Sequence, residues 1–172
     1  MIFEKKFMPD YTLSAFDELT PGFISSLGAR AVICDIDNTL APYEELDASE
    51  KVINWVTSLR NADISLTLVS NNARERVVRF NEKLRCNAYS NVKKPSIKYL
   101  VAAMADMESS TDDTIFLGDQ LLTDALAAHR AGIRAVIVPP IKDKKSLFFK
   151  FKRAIERPYM KKFRRLSSEK DN

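Results

Sequence analysis

The sequence predicts an α/β fold: a Rossmann-like central parallel sheet of five strands with helices on both faces. Two observations carry this. Five short apolar runs alternate with segments of helical periodicity, the pattern of repeated strand–helix units. The runs stop at polar clusters, Asp35/Asp37, Ser70/Asn71 and Asp119/Asp124, as expected where ligand crevices open beyond the carboxyl ends of parallel strands.

The elements follow in order. Thr20-Pro21 is a helix-start signal and Gly28 a stop signal, which predicts a short helix over 21–27. Residues 30–34 (RAVIC) form the first strand, ending at Asp35. In 49–61, Val52, Ile53, Val56 and Leu59 recur at helical spacing. Residues 64–69 (ISLTLV) form the second strand, 73–84 a helix and 87–89 a short third strand. Pro95 at a first helical position predicts a helix over 95–107. Residues 114–117 form the fourth strand, 121–131 a helix stopped by Gly132, and 134–138 a fifth strand halted by Pro139-Pro140. The chain thus divides into an adaptor segment (1–28), a core (29–141) and a basic amphipathic segment (142–172).

Composition narrows the class. With 172 residues, 45% hydrophobic and 29% charged, the chain is one ordinary globular domain rather than a disordered or disulfide-stapled one. It has neither a membrane-spanning run nor a secretory signal, so it is expected in the cytoplasm. Cys34 and Cys86 lie far apart in apolar runs and read as buried hydrophobes. His129 is the single histidine, on a helix, and reads as a packing or surface residue, which with no Cys/His cluster argues against a zinc site. The net charge of +4 is uneven: residues 142–172 hold 12 Lys/Arg against 4 Asp/Glu, leaving 15 against 19 in the rest. Such asymmetry suits an anionic partner surface.

On an extended chain, Asp35 and Asp37 would face one pocket, and their repulsion calls for a cation. With Asp119 from another strand end they form a hard oxygen set suited to Mg²⁺. Pro95 would place Lys94 at a helix N-terminus, an ammonium beside the positive end of a dipole. Ser70 and Asn71 can donate hydrogen bonds to phosphoryl oxygens. Together these groups suit a phosphate monoester with Mg²⁺. Lys98 and Lys93 compete with Lys94 for the phosphate role; Lys98 would lie one turn later on the same helical face, and Lys93 reads as a solvated charge. Asn72 either positions Ser70-Asn71 or caps the next helix.

Asp35-x-Asp37-x-Thr39, Ser70-Asn71, Lys94-Pro95 and Gly118-Asp119-x-x-x-x-Asp124 resemble the four ordered motifs of the haloacid dehalogenase (HAD) superfamily of aspartate-nucleophile phosphatases, subclass IIIA-like. With Phe7-Met8-Pro9-Asp10, Val69-Ser70-Asn71-Asn72 and the string GDQLLTD at 118–124, the chain resembles the bacterial YqeG family, related to mitochondrial phosphatidylglycerophosphate phosphatases. The resemblance implies that Asp35 is the nucleophile and Asp37 the acid and base. It implies that Asp35, the Asp37 carbonyl and Asp119 hold Mg²⁺, and that Asp124 orients Lys94 or a water in the metal's shell. Ser70 and Lys94 would bind the phosphoryl group, and Thr39 would tie the turn after the nucleophile.

Many HAD enzymes carry a cap domain, inserted after the first motif or before the lysine. Here residues 38–63 must also hold a helix, and only about four residues separate the third strand from Lys94, so the fold is expected to be capless. A cap encloses small substrates, so an open site suits a phosphate on something large. In 142–166, aromatics interleave with Lys and Arg, and Pro158 would break or kink the run. This pattern fits an anionic membrane surface at the inner face, or docking on the protein's own core. Nucleic acid ranks lower because no nucleic-acid motif accompanies the charge. The leading reading is an Mg²⁺-dependent hydrolase of phosphatidylglycerophosphate. The alternatives are a phosphatase for a soluble sugar, nucleotide or phosphoprotein, and a receiver-like or phosphate-binding regulatory module. The sequence sets no oligomeric state.

Overall fold

Strands buried on both faces read as near-continuous apolar runs, and the runs read above as strands are mostly apolar, broken only by residues such as Ser65, Thr67, Asn87 and Thr114 and by arginines at the starts of two of them. The computed structural model describes residues 6–142 and Pro158; apart from Pro158, the basic segment beyond Lys142 lies outside the described residues. Within them the chain forms β1 (Tyr11–Thr12), α1 (Pro21–Ser26), β2 (Ala31–Asp35), α2 (Glu50–Asn61), β3 (Ser65–Val69) and α3 (Arg74–Asn81). It continues through β4 (Asn87–Tyr89), α4 (Lys98–Asp106), β5 (Thr114–Gly118), α5 (Leu126–Ala131) and β6 (Arg134–Ile137). All strand pairs are parallel, in the order β1-β6-β5-β2-β3-β4.

Alternation along β2 divides the core. Val32 and Cys34 join α2 and α3 residues, including Val52, Val56, Val77 and Phe80, on one face. Ala31 and Ile33 join α4 and α5 residues, including Leu100, Ala103, Ala127 and Ala128, on the other. Ser49 caps α2, accepting from Val52 N at 3.4 Å. Trp55 on the same helix donates Nε1–H to the Leu19 carbonyl at 2.9 Å and packs edge-on to Phe16, which fastens the N-terminal segment to the core. Gly132 ends α5 at φ 79°, a left-handed conformation that favours glycine.

Two expectations change. The sheet has six strands rather than five, because Tyr11 and Thr12 pair with Val136 and Ile137 of β6. Two residues are too few to show a period, so this strand had no sequence signal. The fourth helix starts at Lys98, with Ile97 as its N-cap, rather than at Pro95. Lys94 therefore precedes the helix by a turn instead of capping it. Neither expected insertion point holds a domain: residues 36–49 and 90–97 carry no helix or strand beyond one isolated bridge, Asp37 to Ala41. Among the described residues no helix is long and apolar enough to cross a membrane.

Candidate active site

The strand order reverses at β2. The chain runs outward from it through β3 and β4, then crosses back to β5 and β6 on its other side. Side chains leaving the carboxyl ends of β2, β3 and β5 converge at this switch point. The register sets who meets whom: Asp35 pairs with Val69, just before Ser70, and Cys34 pairs with Leu117, which brings Asp35 beside Gly118-Asp119.

The inner part of the site is a buried charge cluster. Asp35, Asp119, Asp124 and Lys94 are all buried. The Lys94 ammonium pairs with Asp35 Oδ1 and lies 2.8 Å from Asp124 Oδ1. Thr39 Oγ donates to Asp35 Oδ2 at 3.3 Å. Asp124 Oδ2 accepts the backbone N–H groups of Asp119 and Gln120, each at 3.1 Å. It reaches them because residues Leu121–Ala125 form a wide π-helical turn before α5. Gly118 makes room for this: a Cβ there would sit 2.6 Å from the Asp124 Cβ and Oδ2. Burial pushes the Asp35 carboxyl well above the ordinary range; Lys94 opposes this, and Asp124 and Asp119 add to it. Burial alone would lower the Lys94 ammonium, but Asp124 and Asp35 raise it above the ordinary lysine value.

The outer part of the site surrounds Asp37. Its Oδ2 accepts from Ser70 Oγ at 2.9 Å and Asn72 Nδ2 at 2.8 Å, and its Oδ1 from Arg76 at 3.3 Å. Asn72 N–H in turn donates to Ser70 Oγ at 3.0 Å. Asn72 therefore positions the Ser70–Asp37 pair, and the residue at the N-cap of α3 is Ala73. Asn71 Oδ1 accepts from Lys94 N at 2.8 Å, so this exposed side chain holds the Lys94 backbone. Lys98 and Lys93 are both exposed, and Lys98 lies over the Tyr99 ring instead of sharing a helical face with Lys94. The expectation that Asp35 and Asp37 share one pocket also changes. The strand ends at Asp35, Ile36 enters the core, and Asn38 turns the chain at φ 64°. The two carboxylates end with different partners.

Asp35, Asp119 and Asp124 each bring a carboxylate oxygen within 4.8 Å of the others. Three buried hard donors, with no histidine or cysteine among them, fit a hard divalent cation. The Asp37 side chain is not part of this cluster, and Asp124, expected only in support, is. Sequence reasoning missed Arg76. Its neighbours on α3, Arg74, Glu75 and Arg79, are all exposed charges, and nothing in the sequence separates it from them. The one available signal was its spacing, four residues beyond Asn72.

The buried aspartate at the end of β2 and the lysine bridging it to Asp124 lie at the carboxyl edge of an open parallel sheet. The chain belongs to the haloacid dehalogenase-like hydrolases, whose family pattern matches residues 31–138. It is 31% identical to the "probable phosphatase YqeG" of Bacillus subtilis (strain 168) over 162 residues, 94% of either chain. The fold is shared with the cobalt-bound deoxy-D-mannose-octulosonate 8-phosphate phosphatase YrbI of Haemophilus influenzae: TM-score 0.54 and 14% identity, over 73% of this chain and 75% of that one. It is also shared with an uncharacterized protein of Listeria monocytogenes serotype 4b: TM-score 0.53 and 16% identity, over 67% and 84% of the two chains.

Proposed function

We propose that the protein is an Mg²⁺-dependent phosphomonoester hydrolase working through an aspartyl-phosphate, and that its substrate is phosphatidylglycerophosphate, giving phosphatidylglycerol. The observation that carries the reaction class is the separation of two acidic groups at one strand end. Asp35 lies within a buried charge cluster, and Asp37 lies in a hydrogen-bonded rim. Asp35 attacks phosphorus while Asp37 protonates the leaving oxygen. Asp37 then takes a proton from the water that displaces Asp35 from phosphorus. Lys94, Ser70 and Asn71 receive the phosphoryl group. Asp35, Asp119 and the Asp37 carbonyl, with Asp124 alongside, would hold Mg²⁺, whose charge would offset that of the phosphoryl oxygens.

The lipid reading has its own support. The catalytic edge carries no inserted domain, which suits a large leaving group. Ile141 N–H donates to the Asn38 carbonyl at 3.0 Å, and Lys142 pairs with Glu44 at 3.3 Å. Lys142, the first residue of the basic segment, therefore lies beside the loop that follows Asp37. In the proposed division, residues 1–28 brace the core, 29–141 perform the reaction, and 142–166 meet an anionic membrane surface peripherally. The test is phosphate release from phosphatidylglycerophosphate in mixed micelles with Mg²⁺, beside a panel of soluble phosphomonoesters. Turnover of the lipid that disappears in Asp35→Asn and far exceeds that of the panel is expected. Turnover confined to soluble sugar, nucleotide or phosphoprotein esters would overturn the lipid substrate and leave the reaction class standing.

A further inference from the structure

Arg76 is an arginine whose surroundings match no surface role. Its side chain is only 9% exposed, whereas Arg79, three residues along the same helix, pairs with Asp47 in the open, where both are more than half exposed. A buried guanidinium is strongly unfavourable unless paired and hydrogen-bonded. Arg76 is both. One amino group lies 3.3 Å from Asp37 Oδ1 and 3.5 Å from the Pro42 carbonyl; the other donates to the Leu46 carbonyl at 3.1 Å. The guanidinium carbon lies 5.3 Å from the Phe80 ring centroid. Asp37 is thus one of several anchors, and the loop carbonyls and the ring hold the guanidinium in place without it.

The two oxygens of Asp37 are divided accordingly. Oδ2 meets Ser70 and Asn72; Oδ1 meets Arg76. Resting on the phosphatase reading above, in which Ser70 receives the phosphoryl group, Oδ2 faces substrate and Arg76 holds the carboxylate from behind. We propose that Arg76 is a positioning residue for Asp37. It fixes the rotation of the carboxyl so that Oδ2 is aimed at the leaving oxygen, and it ties the 42–46 loop to that alignment. In the step it serves, an Asp35 carboxylate oxygen bonds to phosphorus, the ester P–O bond breaks, and the Asp37 proton passes to the departing oxygen. In the second step the water oxygen bonds to phosphorus and gives its proton to Asp37, the bond between the Asp35 oxygen and phosphorus breaks, and the Asp35 carboxylate and inorganic phosphate are released.

Dependence on the leaving group separates this role from a structural one. p-Nitrophenyl phosphate and phenyl phosphate differ only by a para nitro group remote from the phosphate, but only phenolate needs a proton in order to leave well. In Arg76→Gln, kcat/KM is expected to fall about 100-fold on phenyl phosphate and less than about 10-fold on the nitrophenyl ester. Asp37→Asn should show the same split, and Arg76→Lys, which keeps the charge, should recover part of it. If Arg76→Gln does not fold, as judged by its melting transition, Arg76→Lys reads the same ratio. Equal losses on the two esters, or no loss, would overturn the role of Arg76 while wild-type turnover keeps the phosphatase reading intact. A wild type that hydrolyses neither these esters nor phosphatidylglycerophosphate would overturn both; where only the lipid is turned over, an undiminished rate of Arg76→Gln on it would overturn the role of Arg76.

Discussion

Asp35 and Asp37 stand two residues apart at the end of one strand, and their surroundings have almost nothing in common. Asp35 is 4% exposed, pressed against Lys94 and two further carboxylates, and its proton affinity is raised by burial. Asp37 lies at the rim, where a hydroxyl, an amide and a guanidinium divide its two oxygens. The difference comes from the backbone. Once β2 ends, Ile36 goes into the core and Asn38 turns the chain, so one carboxylate belongs to the β5 side of the site and the other to the β3–α3 side. A fixed charge cluster suits bond formation to phosphorus, because it stabilises charge without reorganising. A hydrogen-bonded rim suits proton transfer. The comparison therefore predicts that variants on the inner side and on the rim fail in different ways.

The inner side should be the more costly to disturb. Lys94→Met leaves Asp35 and Asp124 buried without their cation, and is expected to cost about 3–5 kcal/mol of stability in metal-free buffer. Added Mg²⁺ should restore part of it, read as a rise in melting temperature larger than in the wild type. Gly118→Ala comes next. Its Cβ would overlap Asp124, and moving that carboxylate unhooks the 119–120 amides and misplaces Lys94. Turnover should fall about 100-fold, with weakened Mg²⁺ dependence in a titration of rate against metal.

How much of this was legible in the sequence depended on length and on partners. Strands of four or five apolar residues ending in Asp or Ser announced themselves, as did Thr20-Pro21 and Gly132. β1 did not, because it is held by β6 and by Asp10, whose carboxylate accepts the Ala135 N–H at 2.7 Å. The start of α4 was misplaced because proline at a first turn is only one use of proline. For the site, the inner aspartates and Lys94 follow from the motifs. The separation of Asp37 from Asp35 does not, since it depends on a turn at Asn38, and neither does Arg76, whose burial is a tertiary fact.

A control lies away from both sides of the site. His129 bonds through Nε2 to Asp10 Oδ2 at 2.8 Å and through Nδ1 to the Lys6 carbonyl at 2.9 Å, clasping the N-terminal strand to α5. The bond to Asp10 raises the His129 value, against the pull of burial. Burial opposes the shift at Asp10 too, but its bonds to His129 and Ala135 hold it below the ordinary carboxylate value. The clasp therefore contributes fully below the ordinary imidazole value of 6.5 and fades as pH rises through the higher folded value. At the acid end it fades as Asp10 protonates. His129→Gln should remove at most about 1 kcal/mol, seen as a smaller drop in melting temperature between pH 6 and pH 9 than the wild type shows. The ratio of rates on the two aryl esters should be unchanged.

The most direct test of the division between the two carboxylates is a pre-steady-state burst with p-nitrophenyl phosphate and Mg²⁺. Asp37→Asn should release close to one nitrophenolate per chain and then stall, because phosphorylation of Asp35 needs little help with this leaving group while hydrolysis lacks its base. Asp35→Asn should release none. A burst that survives in Asp35→Asn would contradict the account, and so would its absence in an Asp37→Asn protein that still turns over at the wild-type rate.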